Sequence, residues 1–136
     1  IKSLSKADIE TALNLVWKVF LEFEAPDYTQ EGIDEFYRSI HDEDYLAALS
    51  LYGAFMNEEL VGIIATRSGG KHIALFFVDG KYHRQGIGKQ LFQSVKTDKM
   101  TVKSSPYAVP VYSKFGFKPV NTEQVVKGLR FTPMAF

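Results

Sequence analysis

Two glycines one residue apart, Gly86 and Gly88, lie in the stretch FVDGKYHRQGIGKQLF from Phe77 to Phe92, rimmed by Lys81, His83, Arg84 and Lys89. The apolar segment before them reads as a strand, and the spacing of Gly88, Leu91, Phe92 and Val95 predicts a helix over about 86–97. A helix start leaves about four backbone N–H groups without partners and carries roughly half a positive charge, so bare backbone here is a natural seat for phosphate. Glycine lets that backbone come close to a ligand. The competing reading is purely structural: a tight turn that packs the helix on its strand. A Walker A loop is excluded, because His83 and Gln90 stand where it needs its first glycine and its hydroxyl. The Rossmann fingerprint fails too, with Leu91 in the place of its third glycine.

A second stretch, SPYAVPVYSKFGF from Ser105 to Phe117, follows about twenty residues later. Together the two resemble the GNAT superfamily of N-acetyltransferases. The first is similar to motif A of that family: Gln or Arg, two residues, Gly, one residue, then Gly or Ala. The resemblance implies that Arg84, Gln85, Gly86, Ile87, Gly88 and Lys89 form a turn whose N–H groups hold the diphosphate of coenzyme A. His83 departs from the usual Gln or Arg, which is expected to adjust affinity rather than remove the site. Phe77 and Val78, at the end of the preceding strand, would by resemblance pair with the pantetheine arm; they also suit a buried core. The second stretch is similar to motif B, with Ser105, Ala108, Tyr112, Gly116 and Phe117 in its places. Ser105 replaces the usual Asn, a second departure from the family's pattern.

The reaction implied is transfer of an acetyl group from acetyl-CoA to a primary amine by direct attack. An alkyl amine with a pKa near 10.4 is about 3.4 units from deprotonation at pH 7, a cost of roughly 4.6 kcal/mol, so a base or a water chain must take up a proton. Charge developing on the carbonyl oxygen needs a donor, for which a backbone N–H near Val78 is the candidate. By resemblance Tyr112 is the general acid toward the coenzyme sulfur. A phenol of pKa about 10 facing a thiol of about 8.5 makes full transfer uphill by about 2 kcal/mol, so a hydrogen bond is the more economical role.

The base is less legible. The family often places a carboxylate on the strand before motif A, yet KHIALFFV carries none. His72 titrates in the useful range but also suits an ordinary surface position. Glu22, Glu24 and Asp27 fall where the family forms its acceptor site, either to attract a cationic amine or as ordinary solvated charges. His41 beside Asp42, Glu43 and Asp44 lacks a second ligand at metal spacing and reads as a polar helix end, so no metal is expected. Antibiotics, polyamines, amino acids and protein N-termini all remain open as acceptors. A noncatalytic acyl-CoA-binding or regulatory domain is the alternative function.

The elements that must position these residues follow from pattern. Ile1–Leu4 reads as a short strand. A capping-box-like Ser5 and Asp8 then open an amphipathic helix through Ile9, Leu13, Val16, Trp17 and Phe20 that should stop before Pro26. TQEGIDEFYRSIHDE predicts a second helix, with Gly32 weakening its first turn. LSLYGAFM, LVGIIATR and KHIALFFV, joined by the turns NEE and SGG, predict an antiparallel meander. After the glycine turn come a strand MTVK, a helix from SSP to Gly116 with an irregular first turn at Pro110, and one or two closing strands. The order is that of an α+β or mixed-sheet α/β domain over residues 1–136: about six or seven strands flanked by about four helices.

Composition narrows the function. The 46% apolar content of 136 residues suits one packed domain, and sixteen basic residues balancing sixteen acidic ones argue against nucleic acid as a partner. With no cysteine, thiolate metal sites and disulfides are excluded. The longest apolar run, IALFFV, is too short for a membrane span, and the first residues lack the apolar centre of a signal peptide, so the expectation is a cytoplasmic protein. The family's frequent dimers imply a homodimer, with Phe131, Met134 and Phe136 as contact candidates.

Overall fold

The computed structural model describes residues 1–136. Strands β1 (Lys2–Ser3), β2 (Ser50–Met56), β3 (Glu59–Arg67), β4 (His72–Val78), β5 (Thr101–Ser104), β6 (Lys118–Pro119), β7 (Gln124–Val126) and β8 (Leu129–Ala135) are accompanied by helices α1 (Ile9–Val19), α2 (Gln30–Ile40), α3 (Glu43–Ala47), α4 (Ile87–Val95) and α5 (Val109–Lys114). The main sheet runs β1-β2-β3-β4-β5-β8-β6, with β7 paired to β8. Pairings are antiparallel except β4 with β5. The expected mixed sheet and meander are present, and α3 is a short addition: Asp42 caps it by accepting the Tyr45 N–H at 3.0 Å.

The central strand β3 is buried on both faces, as its run of Val and Ile dictates. One face carries α1 and α2 over Ile63, Ala65, Leu75 and Phe77, and the other carries α4 and α5 over Val61, Ile64, Ile73 and Val102. The meander turns depend on left-handed residues, Asn57 and Glu58 in the first and Ser68, Gly69 and Gly70 in the second.

Three details differ from the periodicity reading. The α-helical part of the first helix ends earlier than Pro26 requires, at Val19. The chain then widens into a π-helical turn, Phe20–Glu24, closed by the Ala25 N–H on the Phe20 carbonyl, and tightens into a 3₁₀ turn, Ala25–Asp27, where Pro26 needs no donor. The last helix begins at Val109, not at Ser105, so Pro110 sits in its first turn and removes no hydrogen bond. It does end at Gly116, whose φ is 100°. In the closing strand, Met134 is core and offers no contact surface, while Phe136, partly buried, packs on Phe117 and Phe92 in edge-to-face contacts.

Candidate active site

β4 and β5 pair only at His72 with Thr101 and Ile73 with Val102. Beyond that point they separate, because β5 is four residues long and leads into the Ser105–Ala108 turn. The backbone of β4 from Ala74 to Val78 therefore has β3 on one side and an opening on the other. The Asp79 N–H bonds the Val61 carbonyl of β3 at 2.8 Å, so alternation along the strand turns the N–H and carbonyl of Val78 toward the opening.

One cavity of about 560 Å³ follows this edge to the glycine turn. Phe77, Val78, His83, Arg84, Gly86, Ile87, Gly88 and Lys89 all line it. Gly86, with φ of 82°, precedes α4, and a Cβ there would meet nothing within 4 Å; backbone conformation rather than space is what asks for glycine. Arg84 is likewise left-handed, with φ of 64°. The first N–H groups of α4, with Arg84, Lys89 and Lys114 along the wall, suit an elongated ligand carrying phosphates. Two of the residues expected to bind the cofactor fall outside this cavity. Gln85 is exposed and donates to the Lys81 carbonyl at 3.2 Å, and Ser105 lines a different cavity while accepting the Ala108 N–H at 3.2 Å. Residues that the motifs did not indicate complete the wall: Phe23, Tyr82 and Tyr107. His83 donates its Nε2–H to the Val78 carbonyl at 2.7 Å and packs on Phe23, which also meets Tyr107.

A second cavity, of about 280 Å³, lies between α2, the parting of β4 and β5, and the β7–β8 hairpin. Its lining is aromatic, with Phe20, Tyr28, Phe36 and Phe131 among it. The hairpin is held against α2 at a backbone seam. A Cβ on Gly32 would stand 2.2 Å from the Gly128 carbonyl oxygen, and one on Gly128 would stand 2.5 Å from the Gly32 nitrogen. Gly32 is thus required by close approach, which a helix propensity does not reveal.

The two cavities share Glu24, Phe76, Phe77, Ala108 and Tyr112. Glu24 reaches this partition from the end of the π-helical turn. Loss of water around it pushes its pKa up to about 7; the neighbouring Ser105 hydroxyl, which favours the ionised form, opposes this, and the charge of Asp27 adds to it. Tyr112 is 6% exposed and packed by Phe76 and Phe117. Burial, and then the Glu24 charge, hold its pKa well above the ordinary phenol value, so it keeps its proton. A carboxyl poised near neutrality beside a phenol that stays protonated can accept a proton and donate a hydrogen bond across one partition.

The remaining candidates lie elsewhere. Glu22 is exposed and faces Gly80, with its Oε1 3.2 Å from where a Cβ would be built, and Asp27 is exposed with its carbonyl accepting from Arg130 at 3.1 Å. His72 is at the far end of β4, about 20 Å from Val78 at strand rise. Burial, with Arg67 and Lys103 nearby, lowers its pKa to about 4, and its Nδ1 meets the Thr101 hydroxyl at 2.8 Å. It is remote from the partition. His41 donates Nδ1–H to the Tyr37 carbonyl at 2.8 Å, and no group of three or more His, Asp or Glu side chains is arranged to hold a metal. Glu24 had a sequence signal that periodicity alone offers: it stands four residues after Phe20, a carboxylate on the apolar stripe of its helix.

A mixed sheet parted between two parallel strands, with a glycine turn and helix start at the parting, defines an acyl-CoA N-acyltransferase architecture. The Acetyltransferase (GNAT) domain family matches residues 24–136, and the chain belongs to that family. A curated relative, "Uncharacterized N-acetyltransferase YafP" of Escherichia coli (strain K12), is 30% identical over 93 residues, 66% of this chain and 61% of that protein, so the chain spans less than two thirds of its length. Among solved structures, a GCN5-related N-acetyltransferase from Rhodopseudomonas palustris superposes with a TM-score of 0.85 at 19% identity, over 98% of this chain and 92% of that one. A PaiA N-acetyltransferase from Thermoplasma acidophilum, in complex with coenzyme A, does so with a TM-score of 0.76 at 19% identity, over 97% and 94%. At these identities the structural likeness concerns the fold. No helix is long and apolar enough to cross a membrane.

Proposed function

We propose that this chain is an acetyl-CoA-dependent N-acetyltransferase in which Glu24 accepts the proton of the acceptor amine and Tyr112 donates a hydrogen bond at the reacting centre. The observation that carries this reading is the meeting of two cavities at Glu24 and Tyr112. In the larger cavity the α4 start with Gly86, Ile87, Gly88 and Lys89 would hold the diphosphate of coenzyme A, and the opened edge of β4 beside Val78, whose carbonyl His83 already occupies, its pantetheine arm. Bound there, acetyl-CoA supplies an activated acetyl thioester.

The chain's own groups do the rest. Glu24 in its carboxylate form takes one proton from the ammonium of the acceptor; with a pKa of about 7 against about 10.4 the transfer is still uphill by roughly 4.6 kcal/mol, and the carboxylate's part is to receive the proton inside the site, where no diffusing base is needed. The Val78 N–H, turned into the opening, is placed to stabilise negative charge on a carbonyl oxygen. Tyr112, held protonated, donates a hydrogen bond to whichever atom gathers negative charge at the partition. Its raised pKa makes outright proton transfer more costly than for an ordinary phenol, so donation is its role. The aromatic walls of the smaller cavity keep water from the partition.

The test is a pH profile of acetyl transfer beside calorimetric binding of acetyl-CoA, with ATP and NAD as controls. The rate should rise with pH through about 7 as Glu24 ionises. Glu24→Gln should lose that limb and about 10²-fold or more in kcat while binding acetyl-CoA as the parent does. A second sign follows from linkage. The pKa of Glu24 is higher folded than unfolded, so its contribution to stability is fully present below the unfolded value near 4.5 and is lost as pH rises through about 7. Glu24→Gln should therefore melt higher than the parent at pH 8, by a few degrees. Selective acetyl-CoA binding without transfer to any amine would favour a noncatalytic acyl-CoA-binding domain instead.

A further inference from the structure

We propose that the smaller cavity selects a small amine carrying a carboxylate and an apolar, ring-sized body, with Lys103 and Lys127 recognising the carboxylate. This rests on the reading of that cavity as the acceptor site. Four aromatic side chains of its wall, Phe20, Tyr28, Phe36 and Phe131, come from three separate segments and offer a body-sized apolar surface rather than a polar one. Its volume of about 280 Å³ lies at the lower edge of the range for small-molecule sites. The Gly32–Gly128 seam joins α2 to the β7–β8 hairpin, so a peptide chain has no open groove along that side.

The charges of the wall decide which amine fits. Arg130 is compensated, donating to Glu123 at 3.1 Å and to the Asp27 carbonyl at 3.1 Å. Glu35 is likewise compensated, by Arg38 at 2.7 Å. Two cations remain without an ion-pair partner. Lys103 leaves β5 just before the strand ends, its Nζ 5.3 Å from the centre of the Phe131 ring. Lys127 is the left-handed first residue of the hairpin turn, φ 51°, opposite Glu35 of α2. The only acid left inside is Glu24, at the partition where the amine must arrive. A polyamine or aminoglycoside would carry its further positive charges against the two lysines. An aminocarboxylate with an aromatic side chain carries one group for each kind of surface in the wall: amine for Glu24, ring for the aromatic side chains, carboxylate for the lysines.

The experiment is calorimetric titration of the full chain, with coenzyme A present, by phenylalanine and by phenethylamine, which share ring and amine and differ in the carboxylate. Spermidine and the tripeptide Phe-Gly-Gly complete the set. Phenylalanine should bind at least tenfold more tightly than each of the others. In Lys103→Glu/Lys127→Glu, two exposed positions, its affinity should fall at least tenfold while coenzyme A binding stays within twofold. Phenethylamine or spermidine binding as well as phenylalanine overturns the proposal, as does discrimination that survives in the double variant. Tighter binding of Phe-Gly-Gly overturns it in favour of a peptide acceptor. Binding is read without turnover, so retained discrimination with no acetyl transfer would sink the catalytic roles of Glu24 and Tyr112 and leave this inference standing.

Discussion

The two cavities that meet at Glu24 and Tyr112 are built in different ways. The larger draws most of its wall from one continuous run, Phe76 to Lys89, and its ligand-facing chemistry is largely backbone: a strand edge, a left-handed glycine and a helix start. The smaller gathers side chains from the π-helical turn, α2, α3, β4, β5 and the closing hairpin, which are far apart in sequence. A site made of backbone needs particular residues at particular spacings, because a left-handed residue such as Gly86 must stand where the helix starts. A site made of side chains is set by which surfaces the topology brings together. The first should tolerate side-chain changes and be sensitive to backbone conformation, and the second the reverse.

The largest expected effect falls on the partition that both cavities share. Tyr112→Phe removes the hydroxyl and keeps the ring that packs on Phe76 and Phe117. Acetyl transfer should fall by about 10² to 10³-fold in kcat, with acetyl-CoA affinity changed by less than about threefold. Because burial keeps Tyr112 protonated throughout the working range, the variant should retain the rise in rate through about pH 7 that belongs to Glu24. A variant that turns over at the parental rate would remove Tyr112 from the chemistry.

Next in size is the seam that belongs to the acceptor side alone. Gly32→Ala places a methyl group where the Gly128 carbonyl oxygen stands, and neither partner is a flexible side chain that can yield. The hairpin must shift from α2, at a cost of about 1–3 kcal/mol of stability. Acceptor KM should rise by about tenfold while acetyl-CoA binding is unaffected. Loss of coenzyme affinity in this variant would show that the two cavities are not separable.

What was legible in the sequence follows the same division. The glycine turn and helix start were readable at Gly86 and Gly88, as was the helix stop at Gly116, since each rests on a local backbone requirement. Ser105 was assigned to the cofactor side from its place in a motif, but the chain turns there before the helix starts and puts it beside Glu24. Glu22, Glu24 and Asp27 were indistinguishable as a group, because Glu22 and Glu24 lie in a π-helical turn and Asp27 in the 3₁₀ turn after it, and the 3.6-residue period predicts neither. His72 had a useful pKa on paper, but it occupies the wrong end of β4 and is desolvated beside two cations. The Gly32 seam involves residues almost a hundred positions apart and left no local trace beyond an unexplained glycine.

The smallest effect should come from the cofactor side, at a residue that departs from its family's pattern. His83 ties its ring to the Val78 carbonyl at 2.7 Å and rests on Phe23, so its side chain serves the shape of the wall, while the diphosphate seat we propose is backbone from Gly86 onward. His83→Gln keeps a donor within reach of that carbonyl and loses the ring contact. Acetyl-CoA affinity measured by calorimetry should change by no more than about fivefold, and acceptor KM not at all. A loss of a hundredfold or more would mean that the side chain, rather than the turn's backbone, holds the cofactor, and the contrast between a backbone-built cavity and a side-chain-built one would fail at its clearest point.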